Sequence, residues 1–353
     1  MAYEIDYLPV GEGERGGDAI ALRFGNLAGS REEQTVIVID GGTKDSGTAL
    51  VEHIKLYYGG TDFVDFVIST HPDADHASGL CVVLEQMRVG TLVMHKPWEH
   101  AEDIKSLFVN GRITASGLED KLEKSLQHAS DLESLAKGKN ITVVEPFQGV
   151  AGMDGAIHVL GPSMEYYQSL LPHFRGTPQP KDALGILGAI RKAAEDIVNS
   201  IRDSLDIDLL NNDEDTTSAE NNTSTVILFN LDGHKMLFTG DAGKTALHNA
   251  SDYAETSGIA LTDLHFLDVP HHGSKRNLSS SLLKRIKAQV AYVSVPKEST
   301  KHPAKKVTNA LKKIGASVYT TKGKTIRYSS ADAPARAGWS AIQEEPFHEY
   351  VEE

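Results

Sequence analysis

Residues 66–80 have the sequence FVISTHPDADHASGL, and they decide how the rest of the chain is interpreted. The first of these residues complete a run of apolar and β-branched side chains, 63–69, which predicts a buried strand. The segment HPDADH follows directly, where we expect the strand to give way to a loop. On a tight loop alternate side chains converge on one side, and imidazole and carboxylate groups are the ligands of zinc and manganese sites. The stretch therefore predicts a metal site at a strand end.

The four candidate ligands of this segment divide into two pairs. His71 and Asp73 are placed to serve one cation, and Asp75 and His76 are placed to serve another. The alternative is an acidic loop whose histidines only cap neighbouring elements. Four potential ligands within six residues make that alternative the weaker of the two.

Two later segments place further candidate ligands at strand ends. Asp241 follows KMLFTG, and a carboxylate in that position can bridge two ions. His271 and His272 follow LHFLDVP, and Gly273 lets the backbone turn sharply after them. A His-His pair at a strand end is, taken alone, more often structural than metal-binding. In order with HPDADH, however, the three segments favour a metal centre.

Strands and helices alternate along the chain on both sides of one interruption, 163–222. The predicted strands are 3–8, 18–24, 35–40, 63–69, about 90–95, 141–145 and 156–160, then 224–231, 235–241, 264–273, 289–295, 316–320 and 325–329. The predicted helices are 48–58, one with Ser78 as its N-cap, segments within 99–137, and about 243–257, 278–287 and 303–315. The interruption predicts an inserted amphipathic helix, about 182–205, and a mobile acidic loop, and the tail 330–353 is acidic and irregular.

Composition limits the class of protein. The chain has 353 residues, of which 40% are apolar, so a single domain can form a sizeable core. No stretch approaches the roughly 18 consecutive apolar residues of a membrane span, and the N-terminus MAYEIDYLPV lacks the regions of a signal peptide. A single cysteine excludes a disulfide framework. These features predict a cytoplasmic protein with no membrane contact.

The charge of the chain is divided unevenly. The formal net charge is −14, but residues 275–327 carry 14 Lys and Arg against one acid, Glu298, so that segment is +13 and the remainder is −27. Such asymmetry can mark a site for a polyanion. The alternative is a solvated basic face, which charge taken alone favours.

The order of these segments resembles the metallo-β-lactamase superfamily and, more narrowly, the hydrolase domain of ComEC-type competence proteins and their soluble relatives. The stretches that carry the resemblance are GGDAIAL, VIVIDGG, HPDADH, NNTSTVILF, MLFTGDAG, LDVPHHGSKRN, AYVSVPKESTKHP and VYTTKGKTIRY, which span about residues 3–161 and 221–328. The chain departs from ComEC in lacking its membrane channel and in carrying the inserted segment. The resemblance implies an α/β fold, an αββα sandwich with the metal site at the strand ends, interrupted by the helix and acidic loop.

The resemblance also implies which ligands are present and which are missing. Most superfamily members carry HxHxDH, with a further metal-binding histidine just before the strand that leads to the GD. Here Asp73 stands in place of the second histidine, and Asn221-Asn222 fall at the further position. The implied metal is one or two divalent ions, zinc or manganese, and the added carboxylates favour manganese or magnesium. The implied sites are a complete one, Asp75, His76, Asp241 and His272, and one that lacks an imidazole, His71, Asp73 and Asp241.

The same resemblance assigns roles in hydrolysis. A divalent ion lowers the pKa of a coordinated water towards neutrality, and Asp75 is expected to orient that water. His272 is assigned to the metal and His271 to the phosphate. His302 is a candidate second phosphate contact or proton donor, although a helix-start histidine before Pro303 is an equal alternative. The expected substrate-binding residues are Lys275, Arg276 and Asn222.

Three functions fit this sequence. The leading hypothesis is a metal-dependent phosphodiesterase, most simply a nuclease, with nucleic acid or another phosphodiester as its partner. The alternative is a hydrolase of a small ester, lactone or thioester, which needs the same metal and no basic surround. A non-catalytic binding subunit is the third, and the intact ligands Asp75, His76, Asp241 and His272 argue against it. Protein partners are not indicated.

Overall fold

The computed structural model describes residues 1–181, 210 and 213–351. The strands of the first part are β1 (Ala2–Tyr7), β2 (Ala19–Gly25), β3 (Gln34–Gly41), β4 (Phe63–Ile68), β5 (Arg88–Val93), β6 (Thr142–Val144), β7 (Ala151–Gly152) and β8 (Ile157–Gly161). Those of the second part are β9 (Val226–Leu231), β10 (His234–Phe238), β11 (Leu264–Asp268), β12 (Ala288–Val293), β13 (Ser317–Thr320) and β14 (Ile326–Ser329). The helices are α1 (Lys44–Tyr57), α2 (Ala74–Gln86), α3 (Ala101–Ile104), α4 (Ala115–Ser125), α5 (Gln127–Gly138), α6 (Met164–Leu170), α7 (Ala219–Asn222), α8 (Lys244–Thr256), α9 (Ser280–Arg285) and α10 (Lys305–Lys313).

These strands form two mixed seven-stranded sheets. The first has the order β14-β1-β2-β3-β4-β5-β6, and the second has the order β13-β12-β11-β10-β9-β8-β7. In each sheet four neighbouring strands run parallel, β3 to β6 and β10 to β13. Parallel strands end at one edge of their sheet, so the loops that follow them gather there.

Strand β3 shows how the sequence builds two layers of core. Val36 and Val38 pack with the helices, whereas Ile37 and Ile39 pack in a cluster that also contains Phe229 of the second sheet. This alternation follows from the two-residue repeat of a strand. Helices α1, α2 and α5 contact the first sheet, and α8 and α10 contact the second. The predicted αββα sandwich is therefore confirmed.

The predicted strands and helices outside the insertion are found, but two strands end earlier than predicted and one helix cap is misplaced. The strand predicted over 264–273 ends at Asp268, and a 3₁₀ turn, Pro270–Gly273, carries the histidine pair. The strand predicted over 235–241 ends at Phe238.

Ser78 is not an N-cap, because α2 begins at Ala74 and its N-cap position is Asp73. The hydroxyl of Ser78 instead lies within the helix and donates to Gly42 O at 3.1 Å. Asp75 and His76 of the candidate ligand segment thus lie in the first turn of α2, with Asp73 at the N-cap position, where backbone N–H groups favour nearby carboxylates.

The inserted segment is described in part. The predicted helix, 182–205, lies outside the described residues, as does most of its connection to Asp213. The predicted mobile loop is described from 213 onwards, where Asp215 accepts a hydrogen bond from Thr245 N at 2.8 Å and Ser218 caps α7. Over 330–351 the tail has neither helix nor strand. Among the described residues, no helix is long and apolar enough to cross a membrane.

Candidate metal centre

The candidate ligands lie together at one edge of the sandwich, where strands of both sheets end. His71 follows β4, Asp241 follows β10 and His272 follows β11. The paired ends of β2 and β3 bring Asp18 and Asp40 to the same edge. All five side chains are buried. A buried group of carboxylates and imidazoles requires compensation for its charges.

Asp40 fixes the ring of His76. Its Oδ2 accepts a hydrogen bond from Nδ1 of His76 at 2.8 Å. We therefore place the ring proton on Nδ1, which leaves a lone pair on Nε2. That nitrogen lies 3.5 Å from Oδ1 of Asp241. A carboxylate behind a histidine in this way orients metal-ligating imidazoles in many proteins.

Thr70 fixes the ring of His71 through the same carboxylate. The hydroxyl of Thr70 has one hydrogen, and it donates that hydrogen to Asp40 Oδ2 at 2.6 Å because a carboxylate only accepts. Oγ1 of Thr70 then accepts from Nδ1 of His71, 3.0 Å away. Nε2 of His71 is left with its lone pair, 3.8 Å from Oδ2 of Asp241.

The turn that carries the histidine pair is strained. His271 and His272 have φ of 50° and 55°, in the left-handed region, which costs on the order of 1–2 kcal/mol for a residue with a side chain. Asn277 stabilises the turn, because its Nδ2 donates to Asp241 O at 3.0 Å and its Oδ1 accepts from Nδ1 of His271 at 3.1 Å. The turn places Nε2 of His272 3.8 Å from Asp241 Oδ1 and its Nδ1 3.6 Å from Asp18.

The donor atoms fit a divalent ion. Nε2 of His71, Nε2 of His76 and Oδ1 of Asp241 are buried and have no hydrogen-bond partner, although buried polar atoms are normally paired. Two ligands of a tetrahedral zinc lie about 3.4 Å apart, and the ring nitrogens lie 3.5 to 3.8 Å from the Asp241 carboxylate. Asp75, His76 and His272 also offer ligand atoms within 4.8 Å of one another.

The pKa values show how strongly these groups interact. Burial by itself raises the pKa of Asp241, but the surrounding imidazoles, His271 first, hold it below its usual range. Burial lowers the pKa of His272, but the carboxylates of Asp241 and Asp18 outweigh burial and raise it to about 9. For His71 burial dominates, and its pKa lies well below the ordinary value.

The Asp73 side of the cluster has a different construction. Oδ2 of Asp73 lies 3.9 Å from Nε2 of His71, and its Oδ1 contacts the guanidinium of Arg175. Nε of Arg175 lies 3.2 Å from Glu220, which is buried. Nδ2 of Asn221 donates to Oδ2 of Asp241 at 3.1 Å. Protein donors therefore occupy carboxylate oxygens on this side.

The family model for the metallo-β-lactamase superfamily matches residues 30–296, about three quarters of the chain. The chain belongs to the metallo-β-lactamase superfamily. The order and chemistry of its ligands are those of a metal-dependent hydrolase of that superfamily. No curated protein matches the chain.

Several solved structures are similar at low identity. A mutant metallo-β-lactamase from Cronobacter sakazakii is 12% identical, with a TM-score of 0.32 over 74% of each chain. A subclass B3 metallo-β-lactamase from a soil metagenome library is 13% identical, with a TM-score of 0.32 over 74% of this chain and 78% of that one. The long form RNase Z from yeast is 12% identical, with a TM-score of 0.40 over 92% of this chain and 41% of that one.

The superfamily fold brings together most of the residues predicted from the sequence. The gathered residues are His71, Asp73, Asp75, His76, Asp241, His271 and His272. Asn222 is not among them, because its Nδ2 lies 3.5 Å from Thr217 O and its Oδ1 faces the Gly243 side. Asn221, its neighbour, takes the place beside Asp241. The helical α7 directs these consecutive side chains differently, so the sequence alone does not distinguish them.

Four residues that contact the candidate ligands were not predicted from the sequence: Asp18, Asp40, Asn277 and Arg175. Asp40 carried a signal, because it ends a buried strand before two glycines and adopts φ 53°. Asp18 carried another, since it follows Gly17, where a Cβ would lie 1.9 Å from the carbonyl oxygen of Asp75. Only glycine permits that close approach between the β2 entry and α2. Arg175 carried no signal.

A cleft of about 660 Å³ opens beside His271. The predicted residues Lys275, Arg276 and His302 line it. The rings of His271 and His302 are stacked, with centroids 6.2 Å apart, and partial burial lowers the pKa of His302 to about 4. The other basic residues that line the cleft are Lys301, Lys305 and Lys322.

The acidic tail reaches the same cleft. Glu345 and His348 line it, and Glu345 accepts from Nζ of Lys322 at 2.6 Å. Other bases of the 275–327 segment pair away from the cleft, including Arg285 with Asp252 and Arg327 with Glu4. Only part of the positive charge of residues 275–327 therefore faces the cleft.

Proposed function

We propose that this metallo-β-lactamase-fold hydrolase is a phosphodiesterase that cleaves nucleic acid, with manganese or zinc as its ion. The observation that carries the proposal is the cleft beside His271, which five Lys and Arg side chains line. The likeness to the ComEC-type hydrolase domain belongs to the same proposal. Lys275 and Arg276 follow His272 by three and four residues. The turn that positions the imidazole of His272 therefore also positions these two charges.

Electrostatics favour a polyanion over a small neutral substrate in this cleft. The chain as a whole carries −14, so a nucleic acid is repelled unless it meets a local concentration of positive charge. Contacts between Lys or Arg and phosphates release counterions, which makes such binding strong at low salt and steeply salt-dependent. A neutral ester or lactone gains nothing from the same side chains.

The residues of the site divide the chemical work. When bound, the ion supplies an activated water and neutralises charge that develops on the phosphate. Asp75 is positioned to orient the attacking water. Asn277 holds Nδ1 of His271, so Nε2 is the nitrogen presented towards Asp241 and the cleft. His271 then contacts the phosphate, and His302 beside it, whose lowered pKa leaves it neutral at pH 7, serves as a second contact through a ring N–H rather than as a proton donor.

A charge reversal across a salt series tests this assignment. Lys275→Glu with Arg276→Glu should raise the KM for a long nucleic acid and flatten its dependence on salt. Hydrolysis of a small, neutral model ester should change little, because the metal ligands remain in place. The matched control is Lys121→Glu with Lys124→Glu, which makes the same change in net charge on the exposed side of α4.

The competing functions give different results. A hydrolase of a small ester, lactone or thioester predicts weak salt dependence and equal effects of the two double variants. A binding subunit predicts that the metal-loaded protein turns over none of these substrates. The nuclease assignment fails if nucleic acid is not cut at low salt with manganese present.

A further inference from the structure

We propose that Arg175 and Asn221 occupy the place of a second metal ion, so that this chain holds one divalent ion, on the Oδ1 side of Asp241. The inference rests on the proposed function only in requiring that the chain bind a divalent ion. It does not depend on which ester is cleaved.

Arg175 is anchored by the inserted segment and directed at Asp73. Its backbone N–H donates to Oε1 of Glu220 at 2.7 Å, and its Nε lies 3.2 Å from the same oxygen. Glu220 is buried, so this anchor holds the guanidinium while more than half of the side chain remains exposed. The guanidinium contacts Oδ1 of Asp73. A fixed positive charge thus meets the carboxylate that stands where most of the superfamily has an imidazole.

Asn221 acts on the other carboxylate of this side. Its amide nitrogen donates to Oδ2 of Asp241 at 3.1 Å. Residues of its segment fall at the position where the superfamily pattern places a metal-binding histidine. An amide nitrogen is a donor and offers a cation no lone pair. The carboxylate of Asp241 is therefore hydrogen-bonded on Oδ2 and open on Oδ1, which has no hydrogen-bond partner.

On the Oδ2 side of Asp241, the distances between candidate ligand atoms are too long for a second metal site. Among the described residues, Asp73 belongs to no group of three metal-ligating side chains whose donor atoms lie within 4.8 Å of one another. Asp75, His76 and His272 form such a group, and so do Asp18, Asp241 and His272. Oδ2 of Asp73 lies 3.9 Å from Nε2 of His71, but no third ligand atom lies within 4.8 Å of both among the described residues.

His271 does not supply the missing imidazole. Its Nε2 lies 3.6 Å from Oδ2 of Asp241, but its side chain is 30% exposed and it joins no group of three. Asn277 holds the opposite ring nitrogen. Arg175 instead provides one positive charge that is covalently part of the chain and that metal chelation cannot remove.

Counting bound ions tests the proposal directly. Metal-free protein is dialysed to equilibrium against excess Mn²⁺, and bound metal is measured by plasma mass spectrometry. Wild type should hold one ion per chain. Asp73→Ala should also hold one, and Asp75→Ala should lose it. Arg175→Ala with Asn221→His should gain a second ion, because Asp73 is released and a new imidazole faces Oδ2 of Asp241.

The controls separate this effect from general damage. Arg88→Ala removes an arginine that pairs with Asp62 on an exposed surface, and it should leave the count at one. Circular dichroism and the melting temperature report whether each variant folds. Two ions in wild type, one of them lost in Asp73→Ala, would overturn the proposal, as would an unchanged count of one in the folded double variant. Failure to cleave nucleic acid leaves these counts unaffected and refutes only the substrate.

Discussion

The two oxygens of Asp241 divide the centre into halves that differ in what lies behind them. On the Oδ1 side, His76 and His272 present Nε2, and buried carboxylates stand behind both rings at Asp40 and Asp18. On the Oδ2 side, an amide and a guanidinium meet the carboxylates of Asp241 and Asp73. The Oδ1 half leaves two imidazole lone pairs and a carboxylate oxygen for a cation. The Oδ2 half keeps one open lone pair, on Nε2 of His71, and its carboxylates meet protein donors.

The difference shows how the two oxygens of one carboxylate can serve two purposes. The Oδ1 half is buried and preorganised, as a site that must hold an ion requires. The Oδ2 half lies beside the partly exposed His271 and Arg175 and the basic cleft, where a substrate can enter. We infer that metal affinity resides in the first half and that substrate contacts belong to the second.

The largest effect should separate two aspartates of the same motif. Asp75→Ala should reduce hydrolysis by more than about 10³-fold, because the ion and the orientation of its water are lost together. Asp73→Ala should cost less than about tenfold, because its carboxylate is paired with Arg175 rather than with an ion. Turnover and bound metal are measured on both variants. Equal losses in the two variants would remove the distinction between the halves.

The histidine pair should show the same division at a smaller scale. His272→Ala should lose metal as well as rate. His271→Ala should keep its metal and lose about 10²–10³-fold in kcat, the usual scale for one transition-state contact. Metal titration of each variant checks the assignment. The opposite pattern would mean that His271 is the ligand and His272 the substrate contact.

A third experiment weakens the supports instead of the ligands. Asp40→Asn should lower the affinity for the ion by about 10–100-fold, since the ring of His76 loses the carboxylate behind it. Thr70→Val breaks the link to His71 and should lower it less, because His71 lies on the Oδ2 side. Isothermal titration with Mn²⁺ compares the two. A larger loss of Mn²⁺ affinity in Thr70→Val than in Asp40→Asn would mean that the ion lies on the Oδ2 side of Asp241, contrary to the proposal.

The smallest effect concerns pH. Burial lowers the pKa of both His272 and His76, but nearby carboxylates outweigh it, raising the pKa of His272 to about 9 and that of His76 well above its ordinary value. In the metal-free protein both imidazoles are therefore protonated at neutral pH. The ion must displace these protons, and its affinity should therefore rise with pH until both imidazoles are neutral. The pKa of His71 is already low because of burial, so His71→Ala should leave the slope unchanged. Titrations in buffers of different ionisation enthalpy measure the protons released.

The fold was largely predictable because its central strands are short runs rich in apolar and β-branched residues, such as TVIVI in β3. The segments 35–40 and 63–69 predict β3 and β4 to within about a residue. Alternate side chains of β3 pack in two different cores, so successive residues of this strand are apolar and the run is easy to recognise. The position of Ser78 was misassigned because a hydroxyl can bond within a helix as well as cap it. Helix α2 begins inside the HPDADH motif, at Ala74, and not after it.

The site was predictable where its ligands are adjacent in sequence and less so where folding joins them. The spacing of HPDADH indicates four candidate ligands, but the hydrogen bond between Asp40 and His76 spans 36 residues. Asn221 and Asn222 show the finer limit. Which of two consecutive amides faces Asp241 is set by the orientation of α7, which composition does not encode.

The most direct test of the account is cleavage of single- and double-stranded DNA by purified protein with manganese. Cleavage should require the ion, stop after exhaustive chelation, return when manganese is restored, and be absent in Asp75→Ala, which should still fold. Calcium should restore less activity than manganese. Undiminished cleavage by chelated Asp75→Ala would contradict a metal-dependent reaction at this centre. No cleavage of any phosphodiester by the metal-loaded wild type would contradict the substrate assignment.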